Sequence, residues 1–115
     1  MKILINTQEV RETLFKEEKK LAKMLFESES FPIGFLTGVQ DSMNIANTLY
    51  HSTPSLTPVI CELVTRILDM NDSVIKCGYY FIISYLHYMN NEMLLSLIAS
   101  RCINTCYKKV VSDND

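Results

Sequence analysis

Four side chains with chemistry to offer lie along one line of an otherwise apolar stretch. Lys76, Tyr80, Ser84 and His87 follow one another at spacings of four, four and three. On a helix that spacing puts an ammonium, a phenol, a hydroxyl and an imidazole on one face. Such a line suits hydrogen bonding to a peptide in a groove, or it is the solvated seam of the helix. Arg101, Thr105 and Lys108 in the last part of the chain offer a second polar rim. Together these residues define the expected binding set: Lys76, Tyr80, Ser84, His87, Arg101 and Lys108.

Other chemistry finds less support. Cys102 and Cys106 are four apart, and Cys77 or His87 would have to complete a metal site with them. Structural zinc sites use closely spaced cysteine knuckles in loops, whereas these cysteines sit among Ile98, Ala99 and Ile103. They read as core thiols. Nucleophilic catalysis needs a Ser or Cys beside a base, and neither His51 nor His87 has such a neighbour in sequence. Glu17 and Glu18 are neighbours on a solvated face rather than two groups converging on a bond. No glycine-rich phosphate cradle occurs. The expectation is a non-enzymatic chain with no catalytic residue, no metal and no cofactor.

The elements that must position the polar line are helical throughout. Asn6-Thr7-Gln8-Glu9 has capping-box spacing, and Val10, Leu14, Leu21 and Leu25 recur behind it. An amphipathic helix is expected over 7–29, with Glu12, Lys16, Lys19, Lys20 and Lys23 on its solvated side. Ser28 to Pro32 breaks the pattern. Gly34 and Gly38 lie four apart, a spacing that permits close helix packing, but the stretch 33–38 reads more readily as a loop. A helical core over 39–110 follows. It opens with a helix from Val39 to His51 on the stripe Val39, Met43, Ala46 and Tyr50. Ser52 to Ser55 breaks the chain again, and Pro58 suits the first turn of the next helix. There Val59, Ile60, Leu63, Val64, Ile67 and Leu68 form one face.

The block from Ser73 to Met89 comes next, bounded by Asn71-Asp72 and Asn90-Asn91. Apolar on nearly every side, it must be surrounded by other helices or by lipid. At about 17 residues it sits at the low limit of a membrane span, so a membrane is disfavoured and the hairpin from Pro58 to Met89 is expected to form the core. A last helix from Glu92 to about Val110 puts Leu94, Leu95, Ile98, Ala99, Cys102 and Cys106 inward. It puts Ser100, Arg101, Asn104, Thr105 and Lys108 outward. Residues 112–115 form a polar tail.

Bulk composition agrees with one helical domain over 1–115. The 115 residues are 48% hydrophobic and 21% charged, and three Gly and three Pro are few for a sheet protein that needs many tight turns. The net charge of −2 gives no basic excess to hold a phosphate backbone, so no nucleic-acid partner is expected. Met1 to Asn6 has too short an apolar run for a secretion signal. Four cysteines without an oxidising setting then read as reduced, in an intracellular chain, cytoplasmic or nuclear.

Shifted by about 35 residues, the chain overlays on itself: Val59, Ile60, Leu63, Val64, Ile67 and Leu68 fall on Leu94, Leu95, Ile98, Ala99, Cys102 and Ile103. Val39, Met43, Ala46 and Tyr50 fall on Val74, Gly78, Phe81 and Tyr85. Residues 56–99 resemble an armadillo or HEAT helical repeat. Thr57 to Val64 is similar to its proline-opened helix with paired aliphatics, and Asp72-Ser73-Val74 to the turn that follows. The interhelix glycine of the armadillo pattern is missing, with Asp72-Ser73 in its place. The resemblance implies two stacked helix pairs; without it, the pattern predicts a compact all-α bundle of about five helices. Either serves a protein-interaction module or small adaptor, with a protein partner, a second copy of the chain, or both. The Asn, Ile, Lys and Tyr usage is also similar to that of small viral proteins from AT-rich genomes. Such bundles imply a groove for a host helix, although the Asn-Trp-Gly-Arg motif of the apoptosis-regulating bundles is missing. A small helical metal protein or enzyme is the third reading.

Overall fold

The computed structural model describes residues 32–114, with side chains described for most of residues 34–106. The expected helix over 7–29 lies outside the described residues. Those residues form four helices: α1 (Pro32–Ser52), α2 (Leu56–Leu68), α3 (Ser73–Met89) and α4 (Met93–Asn114). The all-α class holds. The bundle is organised around α3, which packs against all three other helices and most extensively against α4 and α1. The hairpin of α2 and α3 is the lesser contact, so the core is not centred on that pair. A two-layer stack of helix pairs would also place α2 on α4, which are not among the extensively packed pairs.

The stretch 33–38 is helix, not loop, and α1 starts at Pro32, where the missing N–H costs nothing. Tertiary packing overrides the helix cost of two glycines. Gly38 and Gly78 meet at the crossing of α1 and α3. A Cβ on Gly78 would strike Val39 N and lie 2.5 Å from Phe35 O, while one on Gly38 would strike the Ile75 carbonyl. Two backbones are therefore in near contact, which only glycine permits. Ser42 and Ala46 continue the four-residue spacing of Gly34 and Gly38, and both are fully buried. The Ser42 hydroxyl bonds back to Gly38 O at 2.7 Å, so its burial leaves no lone polar group. Beside this small-residue stripe Phe35 and Phe81 meet with ring centroids 5.8 Å apart, tilted by 43°. Val39 and Met43 are buried as their spacing predicts.

Local chemistry sets the bounds of α3. Asp72 caps its start, the carboxylate accepting from Val74 N at 2.9 Å and Ile75 N at 3.0 Å. Its end is a Schellman turn. Asn91 takes the left-handed conformation at φ 60°, a role Asn fills better than most side chains. Glu92 N then donates to His87 O at 2.8 Å and Asn91 N to Tyr88 O at 3.1 Å.

Two apolar faces sit differently from the sequence pattern. On α2, Val59, Ile60, Leu63 and Ile67 are buried, but Val64 and Leu68 are exposed. On α4 the rotation is larger. Ala99 and Ile103 are buried, whereas Leu94, Leu95 and Ile98, expected inward, are 72%, 43% and 48% exposed. Ser96 and Ser100 take the inward places. The helix also continues through residues 112–114, where a polar tail was expected.

Candidate functional site

The polar line of α3 runs into the seam between α3 and α4, and Ser84 is its centre. This serine is buried. Its Oγ donates to Ser96 O at 2.9 Å, and Ser96 Oγ returns a bond to Ser84 O at 2.9 Å. Ser84 has one proton and has spent it, so Ser100 donates to Ser84 Oγ across 3.0 Å. Serines four apart on α4 thus bracket a single serine on α3. Their small size lets the helices approach, and among the described residues no buried side-chain nitrogen or oxygen lacks a partner. α4 thus turns Ser96 and Ser100 inward and Leu94, Leu97 and Ile98 outward.

His87 sits at the end of the same seam. Its Nδ1 lies 3.1 Å from Glu92 Oε1, which also accepts from Asn90 Nδ2 at 2.8 Å. In a Schellman turn the third residue before the cap meets the second after it, usually through apolar side chains. Here His87 and Glu92 occupy those places as a polar pair. The Asn90 amide and then His87 hold the Glu92 carboxyl below its ordinary range. His87 therefore fastens the α3–α4 turn.

Towards the other end, Tyr80 and Lys76 are half-buried. Burial raises the Tyr80 phenol first, and the neighbouring Cys102, Cys106 and Cys77 thiols add to it. Cys77 is fully buried and points its thiol at Ile103 O, 3.6 Å away. A hydrogen bond with Cys106, then burial, raises the Cys77 thiol strongly. Burial and then Cys106 raise the Cys102 thiol. Raised thiols are poor nucleophiles because the thiolate is the reactive form. The cysteines converge with one another but recruit neither histidine. Among the described residues no group of three or more His, Cys, Asp or Glu could hold a metal ion. Arg101 is exposed on the opposite side of α4, apart from the serine seam, and Lys108 falls outside the described side chains.

A different surface stands open. Met93, Leu94, Leu97 and Ile98 are 53%, 72%, 53% and 48% exposed, and Arg101 continues their stripe by one turn. Runs of large apolar side chains left uncovered mark contact sites more often than single ones do. The sequence pattern places Leu94 and Ile98 of this stripe in the core and Arg101 outside it. The sequence signal for the rotation is the pair Ser96 and Ser100, four apart, whose hydroxyls can meet Ser84 across the seam. No helix among the described residues is long and apolar enough to cross a membrane. Comparison with protein-family models, curated proteins and solved structures finds no match for this chain.

Proposed function

We propose that the chain is a non-enzymatic helical interaction module whose contact face is the first half of α4. The observation that carries this reading is the exposed stripe Leu94, Leu97, Ile98 and Arg101. Its width, one helix face at spacings of three and four, fits the apolar ridge of a second helix. Arg101 at the end of the stripe selects a partner helix with a carboxylate set among its apolar residues. The side chains of the α3 seam support the face from behind and do not touch the partner.

The test compares the full chain with its Leu94→Glu/Ile98→Glu variant. Thermal stability should stay nearly unchanged, within about 0.5 kcal/mol for exposed sites. Proteins retained from native extract by the parent chain should be lost by the variant. Identical retention by both, or unfolding of the variant, would overturn the reading.

A further inference from the structure

The seam between α3 and α4 uses one arrangement twice. Ser84 on α3 lies against Ser96 and Ser100 on α4. Seven residues earlier on α3, the Cys77 thiol donates to Ile103 O at 3.6 Å and hydrogen-bonds with the Cys106 thiol. Ser96, Ala99, Ile103 and Cys106 follow one another at spacings of three, four and three, the inward stripe of a helix packed on a neighbour. Ala99 and Ile103 on that stripe are buried, and Cys106 packs against the core beside them. The register of the seam therefore brings together two thiols that belong to different helices.

The two thiols differ in what can reach them. Cys77 is fully buried, whereas Cys106 is only half-buried. A small oxidant in solution meets Cys106 and is shielded from Cys77. Cys106 in turn has Cys77 already at contact distance. Closing that contact to the covalent length of about 2 Å asks for side-chain rotation rather than movement of a helix. Cys102 is also half-buried, but it stands one residue before Ile103 and so lies off the inward stripe.

We propose that Cys77 and Cys106 are an oxidisable dithiol: a hydroperoxide converts Cys106 to a sulfenic acid, and Cys77 resolves it as a disulfide that ties α3 to α4. In the first step the Cys106 sulfur attacks one peroxide oxygen. The O–O bond breaks, and the departing oxygen takes up the thiol proton and leaves as water when the oxidant is hydrogen peroxide. In the second step the Cys77 sulfur attacks the Cys106 sulfur. The S–S bond forms, the S–O bond breaks, and the hydroxyl leaves as water with the Cys77 proton. The thiols together give up two electrons and two protons, and the peroxide is reduced to two waters. The Cys77 thiol is raised by its hydrogen bond with Cys106, by burial and by the charge of a Cys106 thiolate. Oxidation of Cys106 to a neutral sulfenic acid removes that charge, so Cys77 becomes a competent nucleophile only after its partner has reacted. The dithiol is separate from the α4 contact face and stands whether or not that face binds a partner.

The decisive experiment treats the folded, reduced full-length chain with hydrogen peroxide, then unfolds it, alkylates the remaining thiols and maps the peptides by mass. A peptide pair joined through Cys77 and Cys106 is expected, with an intact mass lower by about 2 Da for the two hydrogens lost. Dithiothreitol should restore both thiols. The oxidised chain should melt several degrees above the reduced one, because the bridge constrains the unfolded chain. Cys102→Ser should keep the bridge and Cys106→Ser should lose it. The peptide map of the parent chain decides the matter even if a variant fails to fold. A Cys77–Cys102 bridge, a sulfinic acid at Cys106 beside an alkylated Cys77, or a bridge that forms only in urea would overturn the proposal. So would an oxidised chain that melts no higher than the reduced one.

Discussion

Replacing Gly78 with alanine tests the packing at the centre of the fold. On a free helix the change would stabilise by about 1 kcal/mol, because alanine is the better helix former. At this position the new Cβ would strike Val39 N and lie 2.5 Å from Phe35 O and 2.6 Å from Gly38 C. Ordinary non-bonded contacts settle near 3.5–4.0 Å, so α1 and α3 must part by about 1 Å. All three contacts are with backbone, and none is a side chain that can rotate away. A gap of that size forfeits about a quarter to a half of the dispersion energy across the seam, and overpacked cores lose about 1–3 kcal/mol. With backbone on the far side the upper end applies, offset by the propensity gain. The net loss should be about 2 kcal/mol, or a fall in Tm of about 10 °C for a domain of this size. Urea melts followed by circular dichroism measure it, with the slope unchanged. Gly34→Ala is the control. Its Cβ would meet only the Val74 side chain, at 2.5 Å from Cγ1, and should cost under about 1 kcal/mol because that side chain can turn. A Gly78→Ala protein as stable as its parent would refute the close approach of the two helices.

Four further outcomes test the packing around α3. Ser84→Ala should cost about 1–2 kcal/mol in the same melts by stranding the Ser100 hydroxyl. Replacing Ser84, Ser96 and Ser100 together should cost less than the sum of the single changes, because apolar groups then face one another. Thiol-reactive dye should label the exposed Cys61 first, and Cys77 only on unfolding; early labelling of Cys77 would contradict its burial. Glu92 has its carboxyl held below the ordinary range when folded. Its contribution to stability is thus fully present above that range and is lost as pH falls through and below it. The parent should lose stability relative to Glu92→Gln on acidification from about pH 5 to pH 3, and parallel curves would exclude the bond.

What the sequence made legible was set by local chemistry. The polar breaks Asn71-Asp72 and Asn90-Asn91 mark both ends of α3 without reference to any other helix, and there Asp72 caps the start and Asn91 turns the end. The stripe Val39, Met43 and Ala46 is buried because nothing else in α1 competes for that face. The start of α1 was not legible, since Gly34 and Gly38 argue against a helix until Gly78 is brought against them. The face of α4 was misread for a related reason. Counting apolar residues ranks Leu94, Leu95 and Ile98 above Ser96 and Ser100, and it cannot register that small serines let α4 approach α3 and bond with Ser84. The observed turn of α4 sets small serines rather than leucines against Ser84 on α3. The same turn creates the surface that the functional reading rests on. With the serines inside the seam, Leu94, Leu97 and Ile98 are left uncovered, so the seam and the proposed contact face come from one rotation. If Ser84, Ser96 and Ser100 were all leucine-compatible positions, α4 could roll its leucines inward and the open face would vanish.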